Sequence, residues 1–501
     1  MDSERVDRSE SLVVVSNRLP YDLKESSGGL GRRTIGGLVS ALEPLLADRG
    51  GCWVGWDGLS LSGVPAVERA LAAPVARSTP SGIELHGVPL SRLERTRYYD
   101  GFANRALWPL FHHRLDAAVF DADEFAAYLK VNRRFAETAY ARVERGGRIW
   151  VHDYHLLLVP RLLRELGFAG RIDLFLHVPF PAPELFRALP WRETLLDGML
   201  AADTIGFHVA DYRDNFVTIA ERLQRAESSA GAGDDVPLVH RGGRSLARVA
   251  PIGIDVDAVE TLARSPAVER RRRSFMRQFG ECDVIVCADR LDYTKGIRER
   301  MLVVERMLRK YPERAGRLCL YQNVVPSRDT VPAYRDLKRE IDREAGRING
   351  ELGTDGWIPI HYHCRALARE DLIACYRAAR VALITPLQDG MNLVAPEFVA
   401  SRTDDDGVLV LSEFAGVAEQ LPEAVRVNPF DLDGCANALA MALDMPADAR
   451  AARMRRLRRR VRSNPVAAWG RRCLADTAPP ASAADAATGR PAATLPGPVA
   501  S

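Results

Sequence analysis

Two cations sit five positions apart in Asp289-Arg-Leu-Asp-Tyr-Thr-Lys-Gly296, directly after the apolar run Val284–Ala288. The guanidinium of Arg290 is a planar two-pronged donor and the ammonium of Lys295 a compact point charge, a pairing that suits a diphosphate. A surface loop neutralised by Asp289 and Asp292 is the competing reading. Only five of the 69 basic residues are lysines, which favours a role for Lys295. Gly36-Gly37, in "TIGGLVSAL" (34–42), stands directly before a helical pattern. Backbone N–H groups at such a start can hold a phosphate oxygen, although turns use Gly-Gly constantly. Neither G-x-G-x-x-G after a strand nor G-x-x-x-x-G-K-[ST] is present, so there is no dehydrogenase fingerprint and no P-loop. A third stretch, "PLQDGMNLVAPEF" (386–398), inserts Asp389-Gly-Met-Asn392 between an apolar run and a helix that carries Glu397 in its first turns. That is far more chemistry than a connection needs.

The elements that must position these residues are short apolar runs alternating with helical patterns. "LVVVS" (12–16), "RIWVH" (148–152), "IDLFL" (172–176) and "TIGFH" (204–208) form one set. "VIVCA" (284–288), "LCLYQ" (318–322), "VALIT" (381–385) and "VLVLS" (408–412) form a second. Unalternated Val/Ile/Leu strands between helices predict parallel sheets covered on both faces, hence an α/β chain with two doubly wound domains. Ligands bind beyond the carboxyl ends of such strands. Those ends deliver Asn17-Arg18, Asp153-Tyr154-His155 and His177 from the first set, and Arg290 to Lys295, Arg328 and Asp389-Gly390 from the second. Six loaded strand ends in two domains predict one cleft lined from both sides. The predicted organisation is a flexible tail at 1–10, domains at 11–249 and 250–460, and a C-terminal helix at 461–476 returning to the first domain. A disordered Ala/Pro/Gly-rich tail at 477–501 completes it.

Composition excludes several classes. A net charge of +3 argues against general nucleic-acid or membrane-surface binding. No apolar run approaches the roughly 18–20 residues needed to span a bilayer, and residues 1–10 lack the apolar core of a signal peptide. Eight scattered cysteines without a C-x-x-C pair fit reduced thiols in a cytoplasm. His152 and His155 flank Asp153 without a third ligand, and Asp121/Asp123 and Asp404–Asp406 read as solvated surface, so no metal is predicted. The Arg runs at 270–273 and 455–462 read as helix surface, the first behind a Ser265 cap with Pro266 following. In "RYYDGFANRALWPLFHHR" (97–114), Tyr98, Tyr99 and Trp108 suit either a helix core or the faces of a sugar.

The motifs "VVVSNRLP", "GGLVSALEP", "WVGW", "YYDGFANRALWP", "VHDYHLLLVP", "LHVPFPAPELFRALP", "PIGID", "DRLDYTKGI", "EAGRING", "TPLQDGMNLVAPEF" and "LVLSEFAGVAEQL" follow one another in that order. Over about residues 11–475 the chain resembles the trehalose-6-phosphate synthase family of retaining glycosyltransferases with the GT-B fold. The resemblance implies glucose transfer from a nucleotide diphosphate glucose to glucose 6-phosphate, without cofactor or metal. It implies that Gly36 and Gly37 approach the donor diphosphate while Arg290 and Lys295 grip it. Glu397 would take the ribose, and Leu367 would contact the base through its main chain. Asp389, Gly390, Met391, Asn392, Leu393, Val394 and His177 would hold the donor glucose. Arg18, Tyr99, Asp153 and Arg328 would bind the acceptor, with the arginines on its phosphate, and Trp108 and His177 would select the anomer. On this resemblance the chemistry of residues 386–398 has a use, because an acid followed by backbone N–H groups at a helix start can bind sugar hydroxyls and phosphate together. Catalysis would fall to Arg290, Lys295, His177 and Asp153.

Two departures stand out, Gln388 where the family usually has Arg, and Pro396-Glu397-Phe398 where it reads A-K-E-Y. UDP-, GDP- and ADP-glucose all remain open as donors, as does assembly into a homo-oligomer. Glycerol 3-phosphate is the rival acceptor, and a catalytically silent regulatory homologue is the rival from another class. The intact set of Arg290, Lys295 and Glu397 speaks against the latter.

Overall fold

The computed structural model describes residues 12–23, 30–33, 37–61, 76–79, 81–144, 146–229, 234–328 and 331–475. Gly36 and the tails expected at both ends lie outside these residues. Two large sheets organise the chain. The first runs, in spatial order, Glu227–Ser228, Asp235–His240, Gly243–Val249, Thr204–Phe207, Arg171–Phe175, Arg148–His152, Leu12–Arg18, Gly51–Leu61, Glu84–Ser91 and Ala76–Ser78. Its seven middle strands pair in parallel, with antiparallel additions at both edges. The second sheet, Ile360–Cys364, Leu318–Val325, Asp283–Arg290, Val381–Ile384, Val408–Ser412 and Val425–Val427, is parallel throughout.

The strands read as unbroken apolar runs because each feeds two cores. Along Leu12–Arg18, Val13 and Val15 enter one core with Tyr128 and Phe135 of the helix Ala122–Tyr140. Leu12 and Val14 point the other way, to Leu42, Trp53 and Trp150. Along Asp283–Arg290, Ile285 and Cys287 join Met301 and Val304 of the helix Ile297–Lys310. Val284 and Val286 face Tyr376 and Phe398. Side chains alternate across a strand, so a sheet with helices on both faces must be apolar at every position. The second of these cores is shared: it holds residues of both domains, the segment Ala250–Val256 between them, and the C-terminal helices.

Strand order reverses beside Leu12–Arg18 in the first sheet and beside Asp283–Arg290 in the second. Such reversals part the flanking loops and leave a crevice at the carboxyl ends. Asn17-Arg18 and Asp153 border the first reversal, and Arg290 and Thr385–Asp389 border the second.

The chain crosses between domains twice, and the two passages lie side by side. Val466 N–H donates to the Ile254 carbonyl at 3.1 Å, and Arg472 Nη2 donates to the Pro251 carbonyl at 2.9 Å. Gly253 packs so close to the Asn464 carbonyl that no side chain would fit. The break between the last helices therefore falls at Asn464-Pro465, between Ala447–Ser463 and Val466–Leu474, not at the expected residue 461. Pro465 supplies the reason, because it has no N–H to continue the ladder. The final helix lies on the first domain, with Trp469 fully buried, its ring 5.1 Å from Trp150 and 5.2 Å from Phe175. Arg148 Nη1 donates to the Leu474 carbonyl at 2.6 Å.

The helix Pro266–Phe279 is capped as expected, Ser265 Oγ accepting from Val268 N–H at 3.2 Å, and Arg272 and Arg273 pair with Glu269 along it. The second Arg run is less solvated than expected, since Arg458 and Arg462 both bind the buried Glu260. Asp404 and Asp406 likewise differ from the solvated reading: they neutralise Arg402 and Arg450 at 3.1 and 2.6 Å. Asp121 caps its helix at the Glu124 N–H.

Truncating Trp469 to Ala removes a fully buried indole from the core shared by the two domains, an expected loss of about 3–5 kcal/mol in unfolding free energy. Denaturant titration of the intact chain measures it; a loss below about 1 kcal/mol would contradict this account of the shared core.

Candidate active site

In the first domain the segment Arg95–Leu107 is wound as a π-helix, with Gly101 out of helical geometry. Two buried polar bonds hold it against the strand ends. Tyr98 Oη donates to Asn17 Oδ1 at 2.8 Å, and Tyr154 Oη donates to Asn104 Oδ1 at 2.8 Å. Tyr98 is thus core, whereas Tyr99 lies stacked 5.8 Å from His155 and 6.2 Å from Trp56. The guanidinium of Arg18 lies 5.4 Å over the same Trp56 ring.

Asp153 follows its strand with φ +76° and ψ 168°, a backbone region that costs a non-glycine residue about 1–3 kcal/mol. Its N–H donates to the Phe175 carbonyl at 2.7 Å, and its Oδ1 accepts the His177 N–H at 3.2 Å. Burial pushes the carboxyl up to about 6, against the backbone donors and the field of Arg328 and Arg290. His177 sits in a group of neutral imidazoles: its Nε2 is 3.2 Å from His152 Nδ1, and its ring is 5.3 Å from His208. Burial lowers all three well below the ordinary histidine range.

In the second domain the turn Tyr293–Lys295 ends at Gly296, φ +62°, whose missing Cβ would strike the Thr385 carbonyl. Only glycine permits that approach. It brings Lys295 Nζ to 2.6 Å from Asp389 Oδ2, while Asn392 Nδ2 donates to the same oxygen at 3.1 Å. Burial alone would raise the Asp389 carboxyl, but Lys295 and Asn392 outweigh it and hold it below the usual range. Asn392, at φ +76°, also caps the next helix by accepting the Ala395 N–H at 3.1 Å. That helix spans Val394–Ser401, so Pro396 falls in its first turn, where an N–H has no helical partner. Glu397 follows, its carboxyl raised by burial against the field of Arg369. Leu367, Leu393 and Val394 pack at the edge of the shared core. Gln388 donates to Tyr212 Oη at 3.3 Å.

The salt-bridge alternative for Asp289 and Asp292 does not hold. Asp289 pairs with the buried Arg300 at 2.7 Å and Asp292 with the buried Arg328 at 3.1 Å. Among the described residues Arg290 has no ion-pair partner, and its guanidinium lies 5.9 Å from the Trp108 ring.

The two domains meet around Trp108. The Arg328 guanidinium lies 4.0 Å from its ring centroid, and the indole Nε1 donates to Asp292 Oδ1 at 3.4 Å. Arg328 also donates to Tyr154 Oη at 3.2 Å. Gly390 faces the His177 carbonyl with no room for a Cβ, and Tyr212 Oη donates to the Asp389 carbonyl at 3.3 Å. The structure therefore gathers Asp153, Trp108, His177, Arg290, Lys295, Arg328, Asp389 and Gly390 at one interdomain surface. Gly37 opens the helix Gly37–Arg49. Tyr154, Asn104, Asp292 and Tyr334 were not expected as site residues; Tyr154, Asn104 and Asp292 lie within motifs already marked, whereas nothing local marks Tyr334. A cavity of about 590 Å³ also opens between the domains, lined by His112, Tyr212, Thr294, Gln388, Phe414 and Glu419 among others. None of the expected substrate residues lines it. Among the described residues no group of three or more His, Cys, Asp or Glu is placed to hold a metal, and no helix is long and apolar enough to cross a membrane. All eight cysteines are free thiols.

Two Rossmann-like domains presenting charged strand ends across a cleft make up the GT-B fold. Residues 10–478 match the model of Glycosyltransferase family 20, and the chain belongs to that family. It is 43% identical over 470 residues to the bifunctional trehalose-6-phosphate synthase/phosphatase of Thermoproteus tenax, covering 92% of this chain but 62% of that relative's length. It is 40% identical over 483 residues to the trehalose-6-phosphate synthase of Mycobacterium tuberculosis, covering 94% of this chain and 95% of the relative. The crystal structure of an alpha,alpha-trehalose-phosphate synthase (UDP-forming) from Burkholderia xenovorans in complex with glucose-6-phosphate superposes with a TM-score of 0.84. It shares 34% identity and covers 92% of this chain and 98% of that one.

The raised Asp153 carboxyl carries a sign. Its folded value, about 6, lies above the ordinary 3.8, so between these values the native state holds more protons than the unfolded chain. Stability from this group is therefore complete below roughly pH 4 and is lost as pH rises through 6. Asp153→Asn is expected to be more stable than wild type at pH 8 by on the order of 1–2 kcal/mol, with the gain gone at pH 4. Denaturant titrations at both pH values check it, and a pH-independent difference would refute it.

Proposed function

We propose that this chain is an α,α-trehalose-6-phosphate synthase, moving glucose from a nucleotide diphosphate glucose to glucose 6-phosphate with retention. The observation that carries the reading is the convergence of Arg290 and Arg328 on the Trp108 ring, beside the Lys295–Asp389 pair and with Asp153 in the field of both arginines. The relatives' activities support it, as does the glucose 6-phosphate held by the Burkholderia enzyme. As the glycosidic bond breaks, negative charge gathers on the departing diphosphate. Arg290 and Lys295 stabilise that charge, more strongly in the transition state than before it. Asp389, released from Lys295 as the phosphates arrive, accepts hydroxyls of the donor glucose, with Asn392 retaining its other hydrogen bond. Glu397 takes the ribose and Leu367 the base.

On the acceptor side, Arg18 and Arg328 bind the phosphate, Tyr99 and Asp153 the sugar, and Trp108 with His177 favours one anomer. No carboxylate is assigned as nucleophile. The acceptor hydroxyl attacks from the face the diphosphate leaves, and a donor phosphate oxygen takes its proton. Neither a cofactor nor a metal is required, and the proposed compartment is the cytoplasm. The UDP-forming relative makes UDP-glucose the first donor to test, ahead of the GDP and ADP forms.

A panel of the three donors against glucose 6-phosphate and glycerol 3-phosphate, with and without chelator, tests the reading. Turnover with glucose 6-phosphate unaffected by chelator is expected; turnover with glycerol 3-phosphate alone would overturn the acceptor. Arg290→Ala removes an exposed, unpaired charge, so it is expected to lower kcat about 100-fold or more while leaving Tm within about 2 °C. Near-normal kcat in that variant would defeat the assignment.

A further inference from the structure

The carboxylate of Asp292 carries a function that the preceding roles leave out. It is 1% exposed, yet five donors converge on it. Oδ2 accepts from Arg328 Nη1 and from Tyr334 Oη, both at 3.1 Å. Oδ1 accepts from the Thr294 N–H at 3.1 Å, the Thr294 hydroxyl at 3.0 Å and the Trp108 indole at 3.4 Å. The two oxygens thus face different neighbours. One holds Arg328, the arginine proposed for the acceptor phosphate. The other holds the turn that carries Lys295, and Thr294 in turn accepts the Leu387 N–H through its carbonyl at 2.7 Å, at the start of the loop that carries Asp389.

Arg328 needs such a holder. Its backbone is left-handed at φ +53°, and its long side chain would otherwise sample many rotamers. A guanidinium fixed by a bidentate or stacked environment recognises phosphate with less ordering cost than a free one. Here one prong is taken by Asp292 and Tyr334, the face rests on Trp108, and Nη2 reaches Tyr154. We propose that Asp292 is a positioning residue for acceptor selectivity: it orients Arg328 toward the phosphate of the acceptor and holds that arginine in register with the Lys295–Asp389 donor loop. The inference rests on the functional reading above, since it presupposes an acceptor that carries a phosphate.

The test compares glucose 6-phosphate with glucose as acceptors in the intact enzyme, for wild type, Asp292→Asn, Arg328→Ala and the double variant. Asn keeps a carbonyl for Thr294, but its amide nitrogen only donates and so accepts from neither Arg328 nor Tyr334. The expected result for Asp292→Asn is a rise of about tenfold or more in KM for glucose 6-phosphate. The donor KM should stay within about threefold, and the preference for glucose 6-phosphate over glucose should shrink by a similar tenfold factor. In the Arg328→Ala background the same substitution should add nothing further to KM, because its route of action is gone. Equal losses with both acceptors, or effects that multiply in the double variant, would overturn the proposal and leave Asp292 a purely structural group.

Should Asp292→Asn fail to fold, Tyr334→Phe decides. It removes one hydroxyl from the same oxygen, and a selective rise in the acceptor KM supports the proposal while an unchanged selectivity overturns it. The parent reading fails separately: wild type without turnover on glucose 6-phosphate, or Arg328→Ala with an unaltered acceptor KM, removes the phosphate role itself.

Discussion

Charge neutralisation inside the cleft is the constraint on which the rest depends. A buried ion without a partner costs several kcal/mol, so strand ends that carry charges must carry them in pairs. Three carboxylates here each face one cation: Asp289 faces Arg300, Asp292 faces Arg328, and Asp389 faces Lys295. Among the described residues Arg290, at the end of its strand, has no ion-pair partner, and it is exposed. Asp289, Asp292 and Asp389 are thus neutralised in place, while the exposed Arg290 keeps its positive charge. In the proposed reaction the donor diphosphate would meet Arg290 first and then draw Lys295 away from Asp389, whose oxygen keeps the Asn392 amide as a partner.

Pairing fixes charges, but backbone geometry aims them. Seven described residues other than glycine have positive φ, and three of them, Asp153, Arg328 and Asn392, are expected substrate residues. Strain of this kind persists only where packing over-determines it. Asp153 is held by the Phe175 carbonyl and the His177 N–H, and Asn392 by two bonds from its own amide. In both cases the neighbouring strands, buried on two faces, supply the rigidity. The fold thereby stores at the site a cost that its cores repay.

That division explains what could be read from the chain. The central strands were legible because a strand with helices on both faces has no polar positions to confuse the pattern. Gly51–Leu61 and Glu84–Ser91 carry Gly, Ser and Glu along their length, and the edge strand Ile360–Cys364 reads His-Tyr-His, so none showed an apolar run. Arg290 and Lys295 were legible from their place after a strand and from the scarcity of lysine. The partners of Arg328 were only half so. Asp292 lies in the same motif, but as a supposed surface counter-ion; Tyr334 reaches the site from a helix whose local sequence marks it only as amphipathic. The winding of Arg95–Leu107 left no trace, because a π-helix differs from an α-helix in hydrogen-bond register and not in composition.

The distribution of apolar and polar contact between the domains sets how they can move. Apolar contact concentrates at the hinge, where Ile254 and Pro465 lie side by side and the shared core runs through both crossings. At the cleft the contacts are few and polar or aromatic: Arg328 on Tyr154, Trp108 on Asp292, Tyr212 on the Asp389 carbonyl. Opening the mouth exposes little hydrophobic area and exchanges those hydrogen bonds for water, a small net cost. Sliding the hinge would uncover Trp469 and the core beneath it. Rotation about the paired crossings is therefore the soft direction. Arg328, which bonds Tyr154 of the first domain and Asp292 of the second, is one of the contacts such a rotation would break.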